Sequence, residues 1–187
     1  MAGKELARRM KKNIVVLASS PRKHGNSNAL CDQFMLGAIE SGHRAVKVSL
    51  AEKKIGYCKG CNGCQDSGRC VQKDDMPQLL DQMIAADVIV LATPVYFYSM
   101  SAQLKTAIDR TYPCYTKLAK KEFYFILTAA DGKKSSMQRA VESLRGFTSC
   151  LPGAVEKGIV YGTGAWQQGD IQGSRAMKQA YDFGKAV

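Results

Sequence analysis

Five short apolar runs, separated by segments of helical period, constrain the fold of this chain more than any other feature. The first run, Asn13-Ile14-Val15-Val16-Leu17-Ala18, is continuous and rich in β-branched residues. A strand with one wet face would alternate apolar and polar residues, whereas an unbroken apolar run marks a strand buried on both faces, as in a parallel sheet. Asp87-Val88-Ile89-Val90-Leu91-Ala92 and Phe123-Tyr124-Phe125-Ile126-Leu127 repeat the pattern. The resulting order is strand 13–18, helix 27–41, strand 44–50, cysteine loop 55–72, helix 75–86, strand 87–92, helix 101–111, strand 122–129, helix 133–148, strand 155–161 and helix 170–184. Asp74-Asp75 before Met76, Leu79, Leu80 and Met83 reads as an acidic helix start. Strands alternating with helices predict a parallel α/β sheet, and right-handed crossovers make it a three-layer sandwich. No repeat, low-complexity tract or linker interrupts the pattern. One domain over 1–187 is expected, with 1–12 as a basic N-terminal extension.

The hydrophobic fraction is 45 %, yet no apolar run is long enough to span a bilayer, so a soluble protein without a membrane partner is expected. No signal peptide is visible, and seven cysteines then imply the reducing cytoplasm rather than a disulfide framework. Cys31, Cys114 and Cys150 sit among apolar neighbours and read as small buried hydrophobes. A formal charge of +11 raises nucleic-acid binding. The basic residues are dispersed, however, and none of the usual nucleic-acid motifs occurs, so solvated helix faces and attraction for anionic cofactors are expected instead.

Two motifs carry chemistry. After the first strand comes Ser19-Ser20-Pro21-Arg22-Lys23-His24-Gly25-Asn26-Ser27-Asn28, and from Ser27 the period becomes helical, with Leu30, Phe34, Ala38 and Ile39 on one stripe. Asn26 or Ser27 is the expected N-cap. A loop at a helix N-terminus offers free N–H groups and the positive end of the dipole, which suits an anion. Ser19, Asn26, Ser27 and Asn28 add short donors, Arg22 and Lys23 add charge, and Gly25 allows a tight turn. Neither nucleotide glycine pattern is present, since Gly162-Thr163-Gly164 continues to Gln167. An ordinary polar loop is the alternative reading. The second motif is Cys58-x-x-Cys61-x-x-Cys64-x5-Cys70, with Gly60, Gly63 and Gly68 allowing close wrapping. Four thiolates so close suit zinc, an iron–sulfur cluster or thiol chemistry. Structural zinc sites more often use two separated knuckles, and ferredoxin runs end in proline where Val71 stands here. An anion loop and a thiol cluster together point to redox chemistry.

The Ser-Pro-Arg-Lys-x-Gly-Asn-Ser loop resembles the FMN phosphate loop of the flavodoxin-like NAD(P)H-dependent FMN reductases, more narrowly that of the iron–sulfur flavoproteins and their relatives. Thr93-Pro94-Val95-Tyr96-Phe97-Tyr98-Ser99-Met100-Ser101, before a helix with Leu104, Ala107 and Ile108, is similar to that family's isoalloxazine loop. The resemblance is good over about the first two thirds of the chain and weak beyond Thr128. It implies a five-stranded sheet of order 2-1-3-4-5, with flavin at the switch point between strands 1 and 3. It implies FMN phosphate at Ser19, Pro21, Arg22, Lys23, Asn26, Ser27 and Asn28. The ring would lie against Pro94, Val95, Tyr96, Phe97, Tyr98 and Ser99, with Thr128 and Asp131 at its pyrimidine edge. Aromatic side chains there also serve to close a core at a strand end. In the iron–sulfur flavoproteins four such cysteines hold one 4Fe–4S cluster, which would assign Cys58, Cys61, Cys64 and Cys70. Relatives keep such cysteines without a cluster, so zinc and free thiols stay open.

The expected function is transfer of electrons from NAD(P)H through bound FMN to a flavin, quinone, small electrophile or protein, in a homodimer or homotetramer. The flavin carries the chemistry, so no catalytic triad is expected. His24 is expected at the phosphate or in solvent, and His43 as structural. One alternative is an FMN–cluster module exchanging electrons with ferredoxin; a basic chain argues modestly against a simple flavodoxin-like carrier. Another is a zinc-stabilised binding protein without flavin. The 162–173 stretch, which holds Trp166, reads as a loop over the active site or an oligomer contact.

Overall fold

The structure, a computed structural model, describes residues 11–187; of the basic segment 1–12, residues 1–10 lie outside it. The strands are β1 (Asn13–Ala18), β2 (Arg44–Ser49), β3 (Val88–Tyr96), β4 (Ser99–Met100), β5 (Glu122–Thr128) and β6 (Val155–Gly162). The helices are α1 (Asn26–Glu40), α2 (Met76–Ala85), α3 (Ala102–Asp109), α4 (Gln138–Ser149) and α5 (Arg175–Ala186). The long strands run parallel in the order β2-β1-β3-β5-β6, and β4 pairs only with β3. With the two-residue β4 set aside, this is the flavodoxin-like 2-1-3-4-5 order.

Side chains alternate across each strand, so every central strand feeds two cores. Val15, Leu17, Ile89, Leu91, Phe123 and Phe125 pack toward α2 and α4. Ile14, Val16, Val88, Val90, Tyr124 and Ile126 pack toward α1 and α5. This explains the unbroken apolar runs. On the second face α1 and α5 approach so closely that a Cβ on Gly184 would lie 1.9 Å from the Phe34 carbonyl oxygen and one on Gly37 2.2 Å from that of Tyr181. Alanine is the better helix former by about 1 kcal/mol, but overpacking costs about 1–3 kcal/mol or more. Gly184→Ala is therefore expected to be net destabilising, seen as a lower midpoint in urea.

The structure corrects several local expectations. Gly25, in extended backbone, occupies the cap position of α1, without a side-chain cap bond, so neither Asn26 nor Ser27 caps the helix. β3 continues to Tyr96 and turns back through Phe97 and Tyr98 into β4. Both turn residues have positive φ, 47° and 63°, as a two-residue hairpin of right-handed twist requires. Asparagine and glycine are usual there, so two aromatic residues gave no hairpin signal. The segment expected as helix from 133 begins with a 3₁₀ turn, Lys134–Met137, and the helix expected from 170 starts only at Arg175. Cys150 is exposed rather than buried, whereas Cys31 and Cys114 are buried as expected.

Candidate functional site

The C-terminal ends of β1, β3, β5 and β6 surround one hollow of about 110 Å³. The loop after β1 contributes Ser20, Arg22, Gly25, Asn26 and Ser27; β3 contributes Pro94, Val95 and Tyr96. Thr128, Ala129 and Ala130 enter after β5, and Ala165 and Trp166 after β6. Where strand order reverses, neighbouring crossovers leave in opposite directions and open such a crevice.

The first two loops are braced from below. Fully buried Ser19 donates its Oγ to the Ala92 carbonyl at 2.8 Å, and the Ser101 hydroxyl lies 2.8 Å from the Ser19 Oγ. The Ser101 N–H in turn donates to Thr93 Oγ1 at 2.9 Å. Ser19 is thus spent on joining β1 to the β3 loop. Asn28 Nδ2 donates to the Arg22 and Lys23 carbonyls at 2.9 and 3.0 Å, fixing the loop's curvature. Gly25 is required by close approach, since a Cβ there would lie 2.4 Å from Ser20 Oγ.

Ser27 behaves differently. Ser27 lines the hollow in the first turn of α1, and its Oγ is buried with no hydrogen-bond partner among the described residues. A buried unpaired hydroxyl costs about 1–3 kcal/mol, and first-turn N–H groups lack intrahelical acceptors. Both features fit a bound phosphate, with Arg22 at the rim for charge. Apolar Pro94 and Val95 with Tyr96 fit a flat ring. The site therefore suits FMN by its donor set.

Pro21 and Lys23 are exposed beside the hollow. Phe97 and Tyr98 form the exposed hairpin turn and Ser99, also exposed, begins β4, while Arg139 stands over the Tyr98 ring at 5.4 Å. Asp131 accepts from the Lys133 N–H at 2.8 Å and the Ser136 hydroxyl at 2.6 Å; these bonds hold its carboxyl below the ordinary range. His24 is exposed, and buried His43 accepts the Lys12 N–H at 3.2 Å, a structural role. Sequence reading did not single out Ser20 or the small residues Ala129, Ala130 and Ala165, whereas Trp166 lies at the hollow, as one of the two readings of the 162–173 stretch expected. Alanines carry no functional signal, whereas a lone tryptophan in a glycine-rich stretch did carry one.

Cys58, Cys61, Cys64 and Cys70 all line a second hollow, of about 290 Å³, closed by Arg110, Tyr112 and Pro113. No residue lines both hollows. Among the described residues no three cysteine, histidine or acidic groups stand close enough to hold a metal ion. The four thiols share the hollow but do not form a closed ligand set. Arg110, 1 % exposed, forms a fork with Asp74, Nη1 to Oδ2 at 2.6 Å and Nη2 to Oδ1 at 3.0 Å. Nη1 also donates to the Gly56 carbonyl at 2.6 Å. One guanidinium thus ties together both ends of the cysteine loop. Burial pushes the Asp74 carboxyl up, but the bonds from Arg110, Gly56 and Met76 outweigh it and hold the group below its usual range.

Burial pushes the Cys31 thiol up to about 12, with Lys47 opposing, and raises that of Cys114. With thiolate as the nucleophile, an aromatic disulfide reagent at mild alkaline pH is expected to label five cysteines rapidly, sparing Cys31 and Cys114 until the protein unfolds. Rapid labelling of Cys31 in the native protein would contradict this burial.

Comparison with known proteins agrees with this architecture. The NADPH-dependent FMN reductase family matches residues 12–168, and the chain belongs to that family. It is similar to an iron–sulfur flavoprotein of Archaeoglobus fulgidus, 42 % identical over 99 residues, which are 53 % of this chain and 45 % of that protein. The chain spans about half the length of the iron–sulfur flavoproteins it matches first. Among solved structures, the Trp repressor binding protein of Bacillus subtilis superposes with a TM-score of 0.70 at 22 % identity, covering 92 % of this chain and 99 % of that one. An NAD(P)H:quinone oxidoreductase from Methanothermobacter marburgensis gives 0.69 at 15 % identity, covering 94 % and 96 %. These two likenesses are of fold.

Proposed function

We propose that this chain is an FMN-dependent oxidoreductase that takes electrons from NAD(P)H and passes them to a flavin, quinone, small electrophile or protein. The observation that carries this reading is the hollow that joins the loop after β1 to the ends of β3 and β5, with the unpartnered Ser27 hydroxyl at the head of α1. Family membership supports FMN as the cofactor. Bound FMN supplies the redox chemistry. Ser27, Arg22 and the first-turn N–H groups of α1 bind its phosphate, with Lys23 adding positive potential. Pro94, Val95 and Tyr96 hold the ring from one side, and Thr128 borders its polar edge. Residues 11–187 act as one flavodoxin-like domain. Assembly as a homodimer or homotetramer belongs to the same reading, with Tyr96 and fully exposed Phe97 as the surface to be covered. No described helix is long and apolar enough to cross a membrane, and the cytoplasm is the proposed location.

Protein isolated without oxygen and loaded with FMN tests the reading. NADPH or NADH should bleach the flavin within seconds. Bleaching by reduced ferredoxin alone would replace this reading with a second one, an iron–sulfur flavoprotein working as an electron-transfer module. The gathering of Cys58, Cys61, Cys64 and Cys70 around one hollow favours that second reading. In it those residues would hold a 4Fe–4S cluster, which would supply one-electron transfer. About four irons per chain with matching sulfide support the cluster; zinc without iron excludes it. A colourless protein that takes up no FMN rejects both readings.

A further inference from the structure

Trp166 is the only tryptophan of the chain. It lies on the segment between β6 and α5, is largely exposed, and lines the hollow built by the cofactor loops. A large exposed aromatic ring usually sits on yielding backbone, but this backbone is fastened at several points. Asn26 grips it from the first turn of α1: Nδ2 donates to the Gln167 carbonyl at 2.8 Å, while Oδ1 accepts the Gly169 N–H at 3.0 Å and the Ile171 N–H at 3.4 Å. Arg22 Nη1 donates to the Trp166 carbonyl at 3.1 Å. Asp170 Oδ2 accepts the N–H groups of Trp166 and Gln167 at 2.9 and 2.6 Å. On the other flank the Ala165 N–H donates to the Ala129 carbonyl at 2.8 Å. Buried Ile171 anchors the segment in the core beneath α1 and α5.

We propose that this segment is a further wall of the flavin hollow, with the Trp166 indole stacking on the flavin ring system, and that Asn26 is the residue that positions it. The inference rests on FMN binding in this hollow. An indole face suits a flat conjugated ring and gives a phosphate nothing. Asn26 has spent its acceptor and one of its two donors on the segment, unlike Ser27, whose hydroxyl is unpartnered. Asn26 therefore acts on the part of the ligand that Trp166 touches, not on the phosphate, and its loss should be felt equally by FMN and by riboflavin.

Apoprotein is titrated with FMN and with riboflavin, following tryptophan emission excited beyond tyrosine absorption and, separately, the visible flavin spectrum. Trp166 emission should fall in step with flavin uptake. Asn26→Ala and Trp166→Ala should each weaken both flavins about tenfold, leaving the FMN-to-riboflavin ratio unchanged, and Trp166→Phe should restore most of the loss. Flavin uptake with unchanged tryptophan emission would overturn the wall. Weakening of FMN alone in Asn26→Ala would overturn the positioning role and make Asn26 a phosphate ligand. Absence of flavin uptake by the unaltered protein would reject the flavin reading itself, and this inference with it.

Discussion

Arg110→Ala is expected to lower the free energy of unfolding by about 3–5 kcal/mol. Attraction within a buried ion pair is largely offset by the cost of taking both charges out of water, so the intact pair adds little net stability. Removing one partner is different, because half-buried Asp74 loses the charge that offsets its lost hydration. Here Asp74 keeps its bonds from the Gly56 and Met76 N–H groups but loses both from the guanidinium. The Gly56 carbonyl loses a partner as well. Urea unfolding followed by circular dichroism measures the loss, and a change below about 1 kcal/mol, the level of an exposed pair, would refute a clamp at this position. Because the clamp closes the cysteine loop, thiol labelling of Cys70 should accelerate in the same variant.

The same pair predicts an acid limb of stability. The folded-state pKa of Asp74 lies below its unfolded value, so the folded state favours the ionised form. Its contribution is complete above the unfolded carboxylate pKa, about 4, and is lost as pH falls through the lower folded value. In Arg110→Ala the guanidinium that lowers the pKa is gone, so the difference in stability between the two proteins should shrink as pH falls below about 4. A difference that grows on acidification would contradict the sign.

Ser27→Ala should weaken FMN by about 10- to 150-fold, the equivalent of about 1.5–3 kcal/mol for a bond to a charged group. Riboflavin binding should hardly change. The unbound protein already bears the cost of a buried hydroxyl without a partner, so alanine should leave the apoprotein as stable as before or slightly more so. Loss of FMN affinity with retained or improved stability separates a ligand from a structural serine. A variant that binds FMN normally would place the phosphate elsewhere.

Charge and apolar pattern were legible in the sequence because each is written in neighbouring residues. β1, β3 and β5 announced themselves as unbroken apolar runs, for both faces of a central strand meet core. The loop after β1 was legible as a strand–loop–helix junction from its residues alone, because loop, glycine and helix start are contiguous. Individual roles within it were not. Ser19, Ser27 and Asn28 are similar in sequence, yet Ser19 is spent on Ala92 and Ser101, Asn28 braces the loop, and the Ser27 hydroxyl has no partner among the described residues. Those differences depend on what lies opposite each side chain. The hairpin through Phe97 and Tyr98 was hidden for another reason: its backbone is imposed by pairing of β3 with β4 against the local preference of aromatic residues.

What the sequence determined by itself was therefore the periodic and the contiguous: a parallel α/β sandwich, its five long strands, the loop that leads from β1 into α1, and a compact set of four cysteines. Tertiary structure alone decided what joins distant segments. It set Arg110 between Gly56 and Asp74, and brought Trp166 against the loop after β1 through Asn26, 140 positions earlier by number. A hydrogen bond is decided within about 3 Å, whereas sequence patterns report only neighbours along the chain.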